Sequence, residues 1–175
     1  MSDTVINNLS VVKYGIVFSL LTLLYGFGLG GVFGAFEDNI KGHLKDEAKR
    51  VLDSAYKSDE AKMSQIIDKS WTYFKRAHLH ANGLGTASLV LILYISFLSV
   101  SNNMKSINAI FLGVGSLGYS MYWMFAGLRA PGLGSTGLAK ESLQWLAVPS
   151  SGLCIIGLIM AAGLVVAPLF LKRRE

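Results

Sequence analysis

Four long stretches without a charged residue constrain the fold of this chain more than any other feature. They cover residues 14–36, 77–104, 106–128 and 142–171. Each is longer than the ~20 residues that a helix needs to cross a bilayer. Only 15% of the residues are charged, whereas a soluble domain carries roughly 25%. The sequence therefore predicts an all-α integral membrane protein.

The predicted fold is a single membrane domain of four transmembrane helices that pack as a compact bundle. The four spans are placed at about 14–36, 77–100, 106–128 and 142–171. Pro149 lies inside the last of them, where it removes a backbone hydrogen bond and predicts a kink or a local break.

Residues 37–76 form the only sizeable hydrophilic segment, and their apolar residues recur at helical spacing. Ser58 is typical of a helix N-cap, with Asp59 and Glu60 in the following first turn. This pattern predicts two amphipathic helices that extend the first two spans into a protruding antiparallel helical hairpin. The apolar stripes of its two arms are Ile40, Leu44, Ala48, Val51, Leu52 and Ala55, and Met63, Ile66, Ile67, Trp71 and Phe74.

Glycines recur every four residues in the first span, at Gly26, Gly30 and Gly34. On a helix this spacing makes a groove without side chains, which lets another helix approach closely. We predict that the groove is the tightest helix–helix contact of the bundle. A ligand path along the groove is the alternative.

Polar and ionisable side chains collect at the ends of the four stretches. If the chain crosses the membrane four times, these ends lie on one side, and we call the set the polar mouth cluster. We expect Arg129 to pair with Glu141 or Glu37, because an unpaired charge near lipid is costly. The cluster comprises Glu37, Asp38, Arg76, His78, His80, Asn82, Arg129 and Glu141.

Three hypotheses remain open for this cluster. In the first, His43 and His78 bind a metal ion or the iron of haem b, since neutral imidazole is a common metal ligand. In the second, the cluster lines a vestibule for a small anion, a quinone head or a translocated proton. In the third, ion pairs and hydrogen bonds with His78 and Asn82 hold the helix ends together. The sequence favours the third, because such contacts are the commonest.

The net charge of +5 does not indicate a nucleic-acid partner, because the basic residues are spread along the membrane flanks, where they suit anionic lipid headgroups. Lys13, Lys105 and the C-terminal Lys172, Arg173 and Arg174 favour a cytoplasmic location for their side of the membrane. The basic residues of the hairpin argue for the opposite orientation. We predict the inner or plasma membrane, with both termini cytoplasmic.

No arrangement of nucleophile and base, paired carboxylates or zinc ligands indicates catalysis. The leading functional prediction is a non-enzymatic accessory, assembly or homo-oligomeric subunit that contacts membrane partners through its hairpin. Tyr56, Trp71 and Phe74 are the predicted contacts, because aromatic residues concentrate binding energy. The alternative is a transporter of small molecules or ions, or a haem- or metal-binding redox module, built on the polar mouth cluster.

Overall fold

The computed structural model describes residues 3–171, and these residues form helices joined by short turns. The C-terminal basic group at Lys172, Arg173 and Arg174 lies outside the described residues. The helices are α1 (Asp3–Val11), α2 (Lys13–Arg50), α3 (Leu52–Tyr56), α4 (Glu60–Ser96), α5 (Asn102–Leu133), α6 (Thr136–Glu141) and α7 (Gln144–Leu171).

Four of these helices, α2, α4, α5 and α7, are long and apolar enough to cross a membrane, judged by length and composition. The predicted all-α fold with four candidate spans is therefore confirmed. Helix α7 runs unbroken through Pro149, so the predicted local break is absent.

Helix α5 lies at the centre of the packing. It contacts α2 and α4 along one side and α7 along another, whereas α7 makes hardly any contact with α4. The helices therefore form a three-helix core of α2, α4 and α5, with α7 attached to α5. This differs from an evenly packed four-helix bundle, because α5 carries small residues on two faces and can hold a close neighbour on each.

The closest approach of α2 to α5 is a contact between backbones. A Cβ atom added to Gly15 would lie 2.5 Å from the Ala109 carbonyl oxygen. From the other side, a Cβ atom on Gly113 would lie 2.8 Å from the Gly15 carbonyl oxygen. The tightest contact of the first span is therefore at Gly15, which lies outside the predicted glycine groove.

The glycine groove itself contacts α4 over two of its three members. Gly26 lies against Asn82 and Ala81, and Gly30 lies against the imidazole ring of His78. Gly34 has nothing within 4 Å of the position of an added Cβ. The predicted packing role thus holds for Gly26 and Gly30 and does not extend to Gly34.

Helix α7 is attached to α5 through small residues and one amide. A Cβ atom on Gly115 would lie 2.7 Å from the backbone nitrogen of Cys154. Elsewhere along α5, the fully buried Asn108 donates from Nδ2 to the Gly157 carbonyl oxygen of α7 over 2.7 Å. Small residues and polar side chains are common at contacts between membrane helices for these reasons.

The segment between the first two long apolar stretches is helical except at its turns. Helix α2 continues to Arg50, with non-helical backbone angles at Phe36, and a turn with positive φ at Lys57 and Ser58 precedes α4. Asp59 is the N-cap of α4, because its side chain accepts a hydrogen bond from the Lys62 backbone nitrogen at 2.9 Å. Ser58, the predicted cap, donates instead to Asp53 Oδ1.

The apolar stripes of this segment are covered by the chain itself. They pack against the C-terminal end of α5 and against α6. Tyr56 is only 1% exposed, and its hydroxyl donates to the Pro131 carbonyl oxygen over 2.7 Å. Most of the length of these stripes is therefore covered by α5 and α6 and is not free for a partner helix in this structure. This core comprises Ala48, Tyr56, Met63, Ile66, Ala130 and Ala139.

The Tyr56 hydrogen bond leads to a stability prediction. Tyr56→Phe should lower the free energy of unfolding by about 1 kcal/mol, the usual contribution of one buried hydrogen bond. Thermal unfolding in detergent measures the change, and Tyr94→Phe, at an exposed position, is the control. Equal stability of the two variants would show that the Tyr56–Pro131 bond does not hold α5 to this segment.

The same residue predicts a loss of stability at alkaline pH. Burial raises the pKa of Tyr56 above its ordinary value of 10.0. Because the folded state favours the neutral phenol, its contribution is complete below pH 10.0 and is lost as the pH rises through the raised pKa. The stability difference between the wild type and Tyr56→Phe should therefore shrink above that pH.

Candidate functional site

The structure divides the polar mouth cluster between different faces of the helices. His78 and His80 are two residues apart on α4, so their side chains leave the helix in nearly opposite directions. His78 packs against α2, and His80 packs against α5. The fold therefore does not bring the residues of the polar mouth cluster together at one site.

His78 is held between α2 and α4. Its Nδ1 lies 2.8 Å from the Gly26 carbonyl oxygen, which can only accept, so Nδ1 carries the proton of this bond. The Asn82 amide lies 3.2 Å from the same nitrogen and donates to the His78 carbonyl oxygen over 3.1 Å. The bond from His78 Nδ1 to the Gly26 carbonyl oxygen therefore joins α4 to α2 at the glycine groove, and neither His78 nor Asn82 contacts Arg129 or Glu141 through a hydrogen bond within residues 3–171.

The ion pair expected for Arg129 is absent from the part of the chain that the structure describes. Arg129 and Glu141 are both exposed, and Glu37 pairs with Lys41 on its own helix. Among residues 3–171 the only other ion pair joins Arg50 to Glu47. Glu37, Arg129 and Glu141 are all exposed, so the fold does not bring them into the ion pair that the sequence predicts.

The histidine pair proposed for a metal or haem iron is also not assembled. His78 lies opposite Gly30, and His43 follows Gly30 by 13 positions on α2, which corresponds to about 20 Å along a helix. His43 is exposed. No group of three or more His, Cys, Asp or Glu side chains within residues 3–171 could hold a metal ion.

Of the three residues predicted to contact partners, two lie in the interior. Tyr56 and Phe74 are only 1% and 5% exposed, so neither can contact a partner in this structure. Trp71 remains partly exposed, with Phe33 against its edge and the Lys41 ammonium 5.2 Å from its ring centre. Tyr56 and Phe74 are buried because α5 and α6 cover this segment.

A cavity lies where α7 makes little contact with α4. It has a volume of about 350 Å³ and is walled by α4, α5 and α7. We call it the α4–α5–α7 cleft. Its wall on α4 runs from His80 to Leu91, roughly 16 Å along the helix axis. The lining residues are His80, Leu84, Ala87, Ser88, Leu91, Leu112, Ser116, Tyr119, Ser151, Cys154, Ile155 and Leu158.

The deep part of the cleft presents a surface whose hydroxyl groups are already bonded. Ser88 Oγ and Ser116 Oγ are 2.6 Å apart. One hydroxyl donates to the other, and the remaining proton goes to the Leu112 carbonyl oxygen, which lies 3.2 Å from Ser88 Oγ and 2.5 Å from Ser116 Oγ. Because these groups satisfy one another, the deep part suits an apolar occupant.

Polar and aromatic groups occupy the other end of the cleft. The His80 Nδ1 proton is donated to the Arg76 carbonyl oxygen over 2.8 Å. The His80 ring lies 5.3 Å from the ring of Tyr119 and 6.0 Å from that of Trp123, measured between centres. His80 Nε2 makes no hydrogen bond within residues 3–171. The imidazole is thus fixed in orientation and keeps one nitrogen free.

Arg76 lies one helical turn from His80 on α4, above the same aromatic group. Its guanidinium carbon lies 4.9 Å from the centre of the Trp123 ring and 5.6 Å from that of Tyr73. These distances are typical of cation–π contacts. The cleft therefore has an apolar body and a polar end at His80 and Tyr119, and the exposed Arg76 lies one helical turn beyond that end, outside the cleft lining.

The sequence contained a partial signal for this cleft. The small residues Ala87 and Ser88 follow Leu84 and precede Leu91 at the three- and four-residue steps of one helix face. Tyr119 and Trp123 lie one helical turn apart on α5, and the sequence does not show which residues they face. The gap between α4 and α7 depends on tertiary packing and has no sequence signature.

Comparisons with protein-family models, with curated proteins and with solved structures find no match to this chain.

Proposed function

We propose that this protein is a membrane protein that binds an amphiphilic small molecule in the α4–α5–α7 cleft. The apolar part of the ligand lies along the helices, and its polar end meets His80 and Tyr119. The observation that carries the proposal is the cavity of about 350 Å³ with its polar groups at one end. Binding sites for small molecules are commonly 300–1,000 Å³, mostly apolar, with a few polar groups that orient the ligand.

The position of the cleft supports a ligand that reaches it from the bilayer. Since α4 and α7 barely touch, the cleft opens between two helices that are themselves candidate membrane spans. A dry gap of this size would forfeit packing contacts on every wall, so an apolar chain from the membrane is the natural occupant. The proposed site is thus a small-molecule site, as in the alternative hypothesis, but of the polar mouth cluster only His80 lines it.

The membrane arrangement is part of the proposal. We place α2, α4, α5 and α7 across the bilayer of the inner or plasma membrane, with both termini cytoplasmic. The second half of α2, α3 and the first half of α4 then project on the opposite side as an antiparallel helical hairpin. The charged surface of this segment and its cover by α5 and α6 support a location outside the lipid.

Photolabelling tests the binding proposal. The probe is a long-chain alcohol with a diazirine group in its chain, added to purified protein in phosphatidylcholine nanodiscs. We expect labelling of cleft residues above that of Leu24 and Phe27, which are 69% and 71% exposed on α2. Ala87→Trp, inside the cleft, should reduce this labelling severalfold, because an indole fills the space that the chain needs.

Val90→Trp is the matched control, because Val90 is 59% exposed on α4 and does not line the cleft. It adds the same side chain to the same helix and should leave the labelling pattern unchanged. Labelling spread evenly over the exposed apolar residues, or equal effects of the two tryptophans, would refute binding in the cleft.

A homo-oligomeric or accessory subunit is the second candidate. It is supported by glycines on the outer side of α2, at Gly28, Gly31 and Gly34, which have nothing within 4 Å. Small residues on a lipid-facing surface permit close contact with another helix. The partner surface would then be α2, with Trp71 the one predicted aromatic contact still partly exposed. Mass measurement in mild detergent decides, and a lone monomer would contradict this candidate.

A further inference from the structure

We infer that the ligand of the α4–α5–α7 cleft carries an anionic head, a phosphate or a carboxylate, and that Arg76 binds it. This inference depends on the proposed function and specifies its ligand class. The observations that support it are the lack of carboxylates around the cleft, the state of the Arg76 guanidinium and the free nitrogen of His80.

The helices that wall the cleft contain no acid near it. Neither α5 nor α7 has an Asp or Glu, and α4 has none after Asp68. Glu141 of α6 is exposed and lines a separate cavity with Tyr122 and Gln144. No carboxylate of residues 3–171 forms an ion pair with Arg76, since the two ion pairs there are Lys41–Glu37 and Arg50–Glu47. The charge nearest to the polar end of the cleft on α4 is therefore the positive charge of Arg76, one helical turn from His80.

The guanidinium of Arg76 is oriented without being neutralised. Trp123 and Tyr73 hold it through their ring faces at 4.9 and 5.6 Å. The Arg76 side chain is exposed and its N–H groups donate no hydrogen bond within residues 3–171, so they are available to a ligand. A phosphate or carboxylate accepts two such parallel N–H bonds, which gives the contact both strength and a fixed direction.

His80 connects this charge to the apolar cleft. It accompanies Arg76 at the next turn of α4, is tied to the Arg76 carbonyl oxygen and lines the cleft. An anionic head at Arg76 thus continues directly into a chain that passes His80 and Tyr119 towards Leu91. A cationic head would be repelled at the same place, and a neutral head would leave the guanidinium without an anion.

Four photolabels with the same diazirine-bearing chain test the inference, with phosphate, carboxylate, hydroxyl and trimethylammonium heads. In phosphatidylcholine nanodiscs the phosphate and carboxylate probes should label the cleft most strongly. Arg76→Gln should weaken their binding about tenfold or more, as expected when a hydrogen-bonded charge contact is lost. Arg76→Lys should retain part of the preference. Arg129→Gln removes the same charge from an exposed site on α5 and should have no effect.

The outcomes separate this inference from the proposed function. Equal labelling by all four heads, or equal losses in the Arg76→Gln and Arg129→Gln variants, would overturn the anionic head and leave an amphiphile-binding cleft. Failure of every head to label the cleft above Leu24 and Phe27 would overturn both. Inorganic phosphate is the last arm. If it displaces the phosphate probe as well as an unlabelled alkyl phosphate does, the site binds a free anion and the amphiphile is excluded.

Discussion

Replacing Gly15 with alanine should lower the free energy of unfolding by about 1–3 kcal/mol, the usual range for overpacking in a tight interior. The added Cβ would lie 2.5 Å from the carbonyl oxygen of Ala109 and 2.6 Å from its Cβ. A backbone atom cannot turn aside as a flexible side chain can. Helices α2 and α5 would therefore have to separate where Val12 and Ala109 belong to the same apolar core. Thermal unfolding in detergent measures the loss.

Gly28→Ala is the matched control for Gly15→Ala. It makes the same change on the same helix, at a position with nothing within 4 Å of the added atom. Alanine favours a helix over glycine by roughly 0.5–1 kcal/mol, so this variant should be as stable as the wild type or slightly more so. If the two variants unfold alike, backbone contact at Gly15 does not set the spacing of α2 and α5.

Replacing Gly115 with alanine should detach α7 from α5. The added Cβ would lie 2.7 Å from the Cys154 backbone nitrogen and 3.0 Å from the Ser150 carbonyl oxygen. Because α7 has its main contact with α5 alone, no other neighbour holds it in place. We expect a loss of about 1–3 kcal/mol, together with loss of photolabelling in the α4–α5–α7 cleft, whose wall α7 provides.

The single cysteine of the chain reports this separation directly. The partly buried thiol of Cys154 packs against α5 at Gly115. A Cβ atom added to Gly115 would lie only 2.9 Å from Cys154 Sγ. Its reaction with a small membrane-permeant thiol reagent should be several times faster in Gly115→Ala. Gly152→Ala, on α7 with nothing within 4 Å, should react like the wild type. An unchanged rate in Gly115→Ala would contradict the close α5–α7 contact.

Lys105 has a different role in the fold from the one that its sequence position predicts. From the sequence, Lys105 is predicted to be one of the basic residues that orient the protein in the membrane. In the fold it is 5% exposed, and its ammonium donates to the Ser96 carbonyl oxygen over 2.8 Å. A cation at this position stabilises the C-terminal end of α4, where carbonyl groups lack helical partners.

The sequence by itself determined the helices. Length and hydropathy specify four candidate spans, because a helix rises a constant 1.5 Å per residue. Periodicity likewise located most helical segments between Glu37 and Arg76. These features depend on local geometry, which each segment carries in its own residues.

Only the tertiary structure decided which side chains meet. The side chains of the polar mouth cluster lie on different helix faces: Arg129 is exposed, His78 packs against α2 and His80 packs against α5. The close backbone contacts at Gly15 and Gly115 likewise join residues that are distant in sequence. The cleft beside His80 exists because α7 packs on α5 and leaves α4 uncovered, and no residue pattern within one helix encodes a gap between two others.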